Sequence, residues 1–227
     1  MKRVNDIFYS LQGEGRHTGR AALFVRFAGC NLRCPFCDTD FASYQELSED
    51  YIMAELVVRC MDLGLTEQKP MVVLTGGEPT LQVDEDFVDL LHEEDFYVAM
   101  ESNGILPAPR NLDWLTVSPK GDPPPTPPQG RGVGKLPDEI KIVFDGEKDP
   151  EEILDNYLSA GWHGACPYTV PLSFGEGSGV GSLLYLQPCD TGDLEHNRLI
   201  TARCVEYIKR HPRWRLSLQT HKLIGIE

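Results

Sequence analysis

Seven short apolar runs recur along the chain, and their length and spacing restrict the fold more than any other feature. They are ALFVRF (22–27), MVVLT (71–75), FYVAM (96–100), WLTVS (114–118), IKIVF (140–144), LLYLQ (183–187) and LSLQT (216–220). Runs of this kind predict buried strands. Between the first two, SEDYIMAELVVRCMDLG predicts an amphipathic helix. Ser48 is placed to cap it, Ile52, Met53, Leu56, Val57 and Cys60 fall on one face, and Gly64 ends it. Similar helices are expected over 84–94, 149–160 and 193–211. Strands alternating with helices predict parallel pairing through right-handed crossovers.

Two connections break the alternation. The link over 101–113 is short and holds LPAPRNL, and GDPPPTPPQGRGVGKLP (121–137) carries too much proline and glycine for a helix interior. A third irregular stretch, CPYTVPLSFGEGSGVG (166–181), reads as a surface loop. The expected class is therefore α/β: a partial, incomplete parallel β/α barrel in which some helices are replaced by loops. At 227 residues one domain over 1–227 suffices.

The ends of the runs carry the chemistry. GCNLRCPFCDTD follows the first, GGEPT the second, ESNG the third, SPK the fourth, QPCD the sixth and HK the last. In parallel barrels the loops at strand C-terminal ends converge on one face, so these distant motifs are expected to share a pocket. The 35 acidic against 21 basic residues give a formal charge of -14, which repels phosphate backbones and points to a small-molecule ligand. No apolar run approaches the roughly 20 residues of a membrane span, and the first ten residues lack a signal-peptide core. The expectation is a cytoplasmic protein bound to neither nucleic acid nor membrane.

Of seven cysteines, three are bunched as C-x3-C-x2-C at Cys30, Cys34 and Cys37. An odd number with this bunching argues for metal over disulfides. Cys60, Cys166, Cys189 and Cys204 are scattered and read as small packing residues. A structural zinc site closes with four ligands, as does a simple electron-transfer cluster. With three thiolates on a 4Fe-4S cube, one iron keeps an open position. A zinc loop recruiting His17 or Asp38 as the fourth ligand is the competing reading.

The triad, with Phe36 before its last cysteine, resembles the radical S-adenosylmethionine (SAM) enzymes. The resemblance implies a 4Fe-4S cluster whose open iron chelates SAM, and reductive release of a 5'-deoxyadenosyl radical. It also implies cofactor contacts from Phe36, Cys37 and Asp38, from Gly77 and Glu78 of GGEP, from Ser118, Pro119 and Lys120, and from Gln187, Pro188, Cys189 and Asp190. The radical is carried by the cofactor, so no side chain is assigned as catalytic.

The stretch from IFYSLQGEG through FVRFAGCNLRCPFCDTDF, with TGGEPTL, ESNG, SPK, QPCD and QTHK, is similar to the 7-carboxy-7-deazaguanine synthase family. That implies a ring contraction of 6-carboxy-5,6,7,8-tetrahydropterin with loss of ammonia. A pterin offers an amide and amino edge and a carboxylate, so the site needs hydrogen-bond partners and a cation. Leu11, Gln12, Gly13 and Glu14 are assigned to the substrate, Arg26 to its carboxylate, and Thr75, Glu101 and His221 to the rest of the pocket. Thr39 is implied as a ligand of Mg2+. A flavodoxin-type reductant and a homodimer come with the resemblance. The alternative on the same fold is an activase that places a radical on a partner protein's glycine. A noncatalytic iron-sulfur carrier is a further one.

Overall fold

The computed structural model describes residues 1–37, 43–120, 134–159 and 182–226. Their strands are β1 (Lys2–Leu11), β2 (Ala21–Phe27), β3 (Gln45–Leu47), β4 (Met71–Gly76), β5 (Val98–Ser102), β6 (Trp114–Val117), β7 (Glu139–Phe144), β8 (Leu183–Pro188) and β9 (Trp214–Leu216). The α-helices are α1 (Glu49–Asp62), α2 (Glu85–Glu93), α3 (Pro150–Ser159), α4 (Leu194–Arg210) and α5 (Thr220–Ile224). One nine-stranded sheet runs in the order β3-β1-β2-β4-β5-β6-β7-β8-β9. From β2 to β9 every neighbouring pair is parallel, while β1 is antiparallel to both β2 and β3. The sheet does not close, so the architecture is the expected partial barrel.

Each strand divides its side chains between two cores because alternate residues point to opposite faces. Leu23, Val25, Phe27, Val72, Leu74, Val98, Met100, Ile140, Ile142, Leu184 and Leu186 face outward and pack with Ile52 and Leu56 of α1, Phe87 and Leu91 of α2, Leu154 of α3 and Ile200 and Cys204 of α4. On the inner face Phe8, Ala22, Phe24, Met71, Val73 and Ala99 form a second, smaller plug. Phe8 and Phe24 stack within it at 4.8 Å between ring centroids.

Helix α1 begins where the sequence places its cap. Ser48 accepts the Tyr51 N–H at 3.1 Å. Asp84 and Asp193 cap α2 and α4 in the same way. The 103–113 connection contains no helix, as expected, and most of the 121–137 and 166–181 segments lie outside the described residues. Among the described residues no helix is long and apolar enough to cross a membrane.

Three differences from the expected elements have physical causes. Strand β1 was not anticipated, because its polar residues and a register shift between Val4 and Asp6 interrupt the alternation. Its Lys2 is nonetheless buried, bonded to the Gln82 carbonyl at 2.5 Å and paired with Glu49 at 2.9 Å. The last strand is displaced from 216–220 to Trp214–Leu216. Residues from Thr220 onward turn into α5 because the Thr220 N–H and hydroxyl both reach the Gly13 carbonyl, at 3.0 and 2.9 Å.

Leu56 is wholly buried between α1 and the sheet. Leu56→Ala should cost about 2–5 kcal/mol, read as a lower urea midpoint with an unchanged slope.

Candidate active site

The inner face changes character along the strands. Near the N-terminal ends it is the apolar plug, and toward the C-terminal ends it becomes polar, with Arg26, Thr75, Glu101, Thr116, Ser118, Lys141 and Gln187 bordering one cavity of about 750 Å³. The register makes this a single ring of side chains. Arg26 lies opposite Thr75, Glu101 opposite Thr116, and Val143 opposite Gln187, all of them bordering the cavity.

The cysteine loop leaves β2 over the mouth of this cavity. Cys30, Cys34 and Cys37 are free thiols and all three border it. Burial raises the Cys34 thiol pKa, with nearby Lys120 working the other way. Among the described residues no three His, Cys, Asp or Glu side chains converge as a single-ion site requires. A 4Fe-4S cluster would offer each thiolate its own iron, while a lone zinc draws its ligands to about 2.0–2.3 Å. His17, the suggested fourth zinc ligand, is far from this arrangement in kind. Its ring sits edge-on against Trp114 and Tyr97, at 4.7 and 5.8 Å, and does not border the cavity.

The glycine turn after β4 is locked to the cysteine loop. The Gly77 N–H donates to the Phe27 carbonyl and the Glu78 N–H to the Gly29 carbonyl, both at 2.8 Å. A Cβ at Gly77 would stand 1.9 Å from the Gly29 oxygen, so only glycine permits this approach. The Glu78 side chain is fully buried behind the turn. It accepts from the Thr80 hydroxyl at 2.6 Å, the Ser102 hydroxyl at 2.8 Å, and the N–H groups of Asn103 and Thr80 at 2.8 and 3.1 Å. Burial raises its pKa and these donors work against the rise. Asn103, held in this way, donates to Asn31 at 2.7 Å and lies 3.9 Å from the Cys30 sulfur.

The 12–20 turn closes the open side of the barrel against its last strand. The Gly15 N–H donates to the Ser217 hydroxyl at 3.0 Å, and the His221 ring packs on the bare Cα of Gly13. Glu14 accepts from Gln219 at 3.0 Å and Gln187 at 3.2 Å, and pairs closely with Lys141. Burial opposes its charge, but Lys141 prevails and lowers the carboxyl to about 2. Lys141 also lies 3.9 Å from Glu101, which accepts from Gln12 at 2.9 Å. Burial likewise opposes the lysine charge, and Glu101, Glu14 and Glu139 outweigh it, holding its pKa above the usual lysine range. Glu139 is buried beneath and accepts the Arg16 N–H at 2.9 Å. Burial raises it to about 7 against that bond and Lys141.

Arg26 stands apart from this acidic side. Among the described residues its guanidinium has no carboxylate partner and lies 4.8 Å over the Phe8 ring. Lys120 is surrounded by protein yet reached by water from the cavity, and its Nζ donates to the Ser118 hydroxyl at 2.9 Å. The crowding, with Lys141 nearby, lowers its pKa. At the far rim Asp190 is held at about 2 by bonds from Lys222, Gly192 and Asn197.

The structure brings most of the expected residues together. Leu11, Gln12, Gly13, Glu14, Arg26, Cys30, Cys34, Phe36, Cys37, Thr75, Gly77, Glu101, Ser118, Lys120, Gln187, Pro188, Cys189, Asp190 and His221 all border the cavity. Two do not. Glu78 is turned away because its carboxylate ties the β4 exit to residues 102–104, and Pro119 is buried beside the strand end. Asp38 and Thr39 lie outside the described residues. The sequence assigns no individual role to Lys141 or Glu139, nor to Asn103 and Gln219, which lie within the ESNG and QTHK motifs. The signal for the first two was present, since a lysine and a glutamate two apart in a buried strand must share one face.

Fold and site define a radical SAM protein, and the Radical SAM superfamily model matches residues 24–120. A relative from Bacteroides thetaiotaomicron, named 7-carboxy-7-deazaguanine synthase, is 40% identical over 100% of this chain and 99% of its own. One of the same name from Bradyrhizobium diazoefficiens is 39% identical over 98% of both. The crystal structure of QueE from Escherichia coli superposes with a TM-score of 0.63 at 27% identity, covering 96% of this chain and 93% of that one. The chain belongs to the 7-carboxy-7-deazaguanine synthase family.

The folded-state pKa of Glu139 lies above its ordinary value of 4.5. Its contribution to stability is therefore fully present below about pH 4.5 and is lost as the pH rises through about 7. Against Glu139→Gln, wild-type stability in urea should fall by about 1.4 kcal/mol per pH unit across that window and level off above it. A difference that stays flat with pH would contradict this.

Proposed function

We propose that this chain acts as a 7-carboxy-7-deazaguanine synthase. It converts 6-carboxy-5,6,7,8-tetrahydropterin to 7-carboxy-7-deazaguanine with loss of ammonia, in 7-deazapurine (queuosine) biosynthesis. Carrying the reading is the polarity of the cavity: a guanidinium on β2 that meets no carboxylate among the described residues, the Glu14 and Glu101 carboxylates gathered around Lys141, and three thiols at the mouth. A carboxypterin has the matching polarity, with an anion at one end and N–H donors at the other.

In this reading Cys30, Cys34 and Cys37 hold the 4Fe-4S cluster. The Gly77 turn, Phe36, Asp38, Ser118, Lys120 and the Gln187-to-Asp190 segment surround SAM. When bound, cluster and SAM together supply a carbon-centred radical able to remove a hydrogen atom from the substrate. The protein's own part is positioning. Arg26 presents a planar fork to the substrate carboxylate, supported by Phe8 beneath it. Glu101 receives N–H donors from the heterocycle, oriented by Gln12 and Thr75, the latter 3.5 Å away. His221 and Gly13 close the side of the pocket, and the plug of Phe8, Phe24 and Val73 keeps water from entering between the strands.

The same reading includes Mg2+ on the Thr39 hydroxyl, a flavodoxin-type reductant, a homodimer and a cytoplasmic location. The activase alternative is not favoured, because relatives matched over nearly their whole length carry the synthase name.

Anaerobically reconstituted protein, incubated with reductant, SAM and the carboxypterin, should yield a product with the mass of 7-carboxy-7-deazaguanine while SAM is regenerated. Intact cluster and bound SAM without that product would overturn the proposal. The Cys30, Cys34, Cys37 triple alanine variant should lose both iron and turnover. Arg26→Ala should raise KM about 10- to 100-fold, the loss of about 1.5–3 kcal/mol of charge-assisted bonding. Steady-state kinetics on cluster-loaded variant checks it.

A further inference from the structure

Lys141 is the residue on which the acidic side of the cavity converges. It projects inward from the middle of β7, its side chain 5% exposed. Its Nζ pairs with Glu14 Oε2 from the closing turn and faces Glu101 Oε1 from β5 at 3.9 Å. Its backbone carbonyl is fixed by the Ser118 hydroxyl at 2.8 Å.

The remaining lone pairs can be counted. Glu14 Oε1 already accepts from Gln187 and Gln219, and Glu101 Oε1 from Gln12. Among the described residues the two Oε2 atoms each keep acceptor capacity: Glu14 Oε2 meets Lys141, and Glu101 Oε2 meets the Thr75 hydroxyl at 3.5 Å. Two half-buried carboxylates that share one lysine repel, and without that cation one of them is driven toward taking up a proton and becoming a donor. Glu139 beneath adds a third carboxylate to the same lysine, while His221 and Lys120 supply weaker positive fields from the last helix and the end of β6.

We propose that Lys141 is the positioning residue that sets heterocycle specificity. By pairing with both Glu14 and Glu101 it preserves an acceptor-only face that selects a ring edge with adjacent N–H donors, such as the 2-amino-4-oxopyrimidine of a pterin, over one presenting a carbonyl. This rests on the function proposed above, and it goes further in naming which edge is read and what maintains the reader.

The test compares the carboxypterin as substrate with its 2-oxo analogue as inhibitor. Turnover by wild type examines the proposed function, and only the variants examine Lys141. Wild type should bind the analogue about 100-fold more weakly than the substrate. In Lys141→Met that gap should shrink below about tenfold, and KM should rise about 10- to 100-fold while kcat falls by less. The raised KM should worsen as pH falls from 9 to 7, since a carboxylate without its cation takes up a proton in that direction. Lys141→Arg should restore both discrimination and KM. Iron content and circular dichroism report folding. If Lys141→Met does not fold, the double variant Lys141→Met with Glu14→Gln removes the cation together with one anion. It should show a raised KM with no pH dependence over the same range. Unchanged discrimination and KM in Lys141→Met, a loss confined to kcat, or a wild-type KM in the double variant would each overturn the assignment.

Discussion

The Glu14–Lys141 pair is the interaction on which the rest of the molecule rests, because it joins the first turn of the chain to the middle of its fifth parallel strand across a barrel that never closes. A buried ion pair gains little over an apolar substitute when judged by Coulomb energy alone, since both charges give up water. Here the desolvation is offset on the Glu14 side by bonds from Gln187 and Gln219 and on the Lys141 side by the nearby Glu101 carboxylate. What the pair provides is definition. A sheet with two free edges needs something specific to hold its ends together, and the apolar plug, being non-directional, cannot supply that.

Around this pair the strand alternation separates stability from chemistry. The outward residues form a continuous core with the helices, and the inward residues pass from plug to polar ring within a few residues on each strand. The polar ring therefore stands on a packed layer. Arg26 illustrates the arrangement: its neighbours Val25 and Phe27 are anchored in the outer core while its guanidinium lies over Phe8.

Much of the fold was legible because buried parallel strands leave an unambiguous mark, and α1, α2 and α4 carried caps at Ser48, Asp84 and Asp193. Strand β1 escaped because a bulge resets which face each residue points to, and the chain after Leu216 escaped because its conformation is decided by Gly13, some two hundred residues away. The cavity was legible through residues at strand ends. What escaped were residues inside strands, Lys141 and Glu139, whose environment depends on register, and Asn103, whose role depends on a carboxylate from another loop. Glu78 shows the converse: a residue in the right motif can serve by holding the motif together without facing the ligand.

That brace has a bearing on how the holoprotein comes into being. The Glu78 carboxylate, gripping Thr80, Ser102 and Asn103, and the glycine turn lying on Gly29, fix the walls on two sides of the thiol loop using protein bonds alone. In the reading proposed above, iron and sulfide delivered to Cys30, Cys34 and Cys37 would meet walls already braced by these bonds. Maturation then resembles seating a part in a finished housing, and losing the inorganic centre to oxygen need not bring down the scaffold that would receive its replacement.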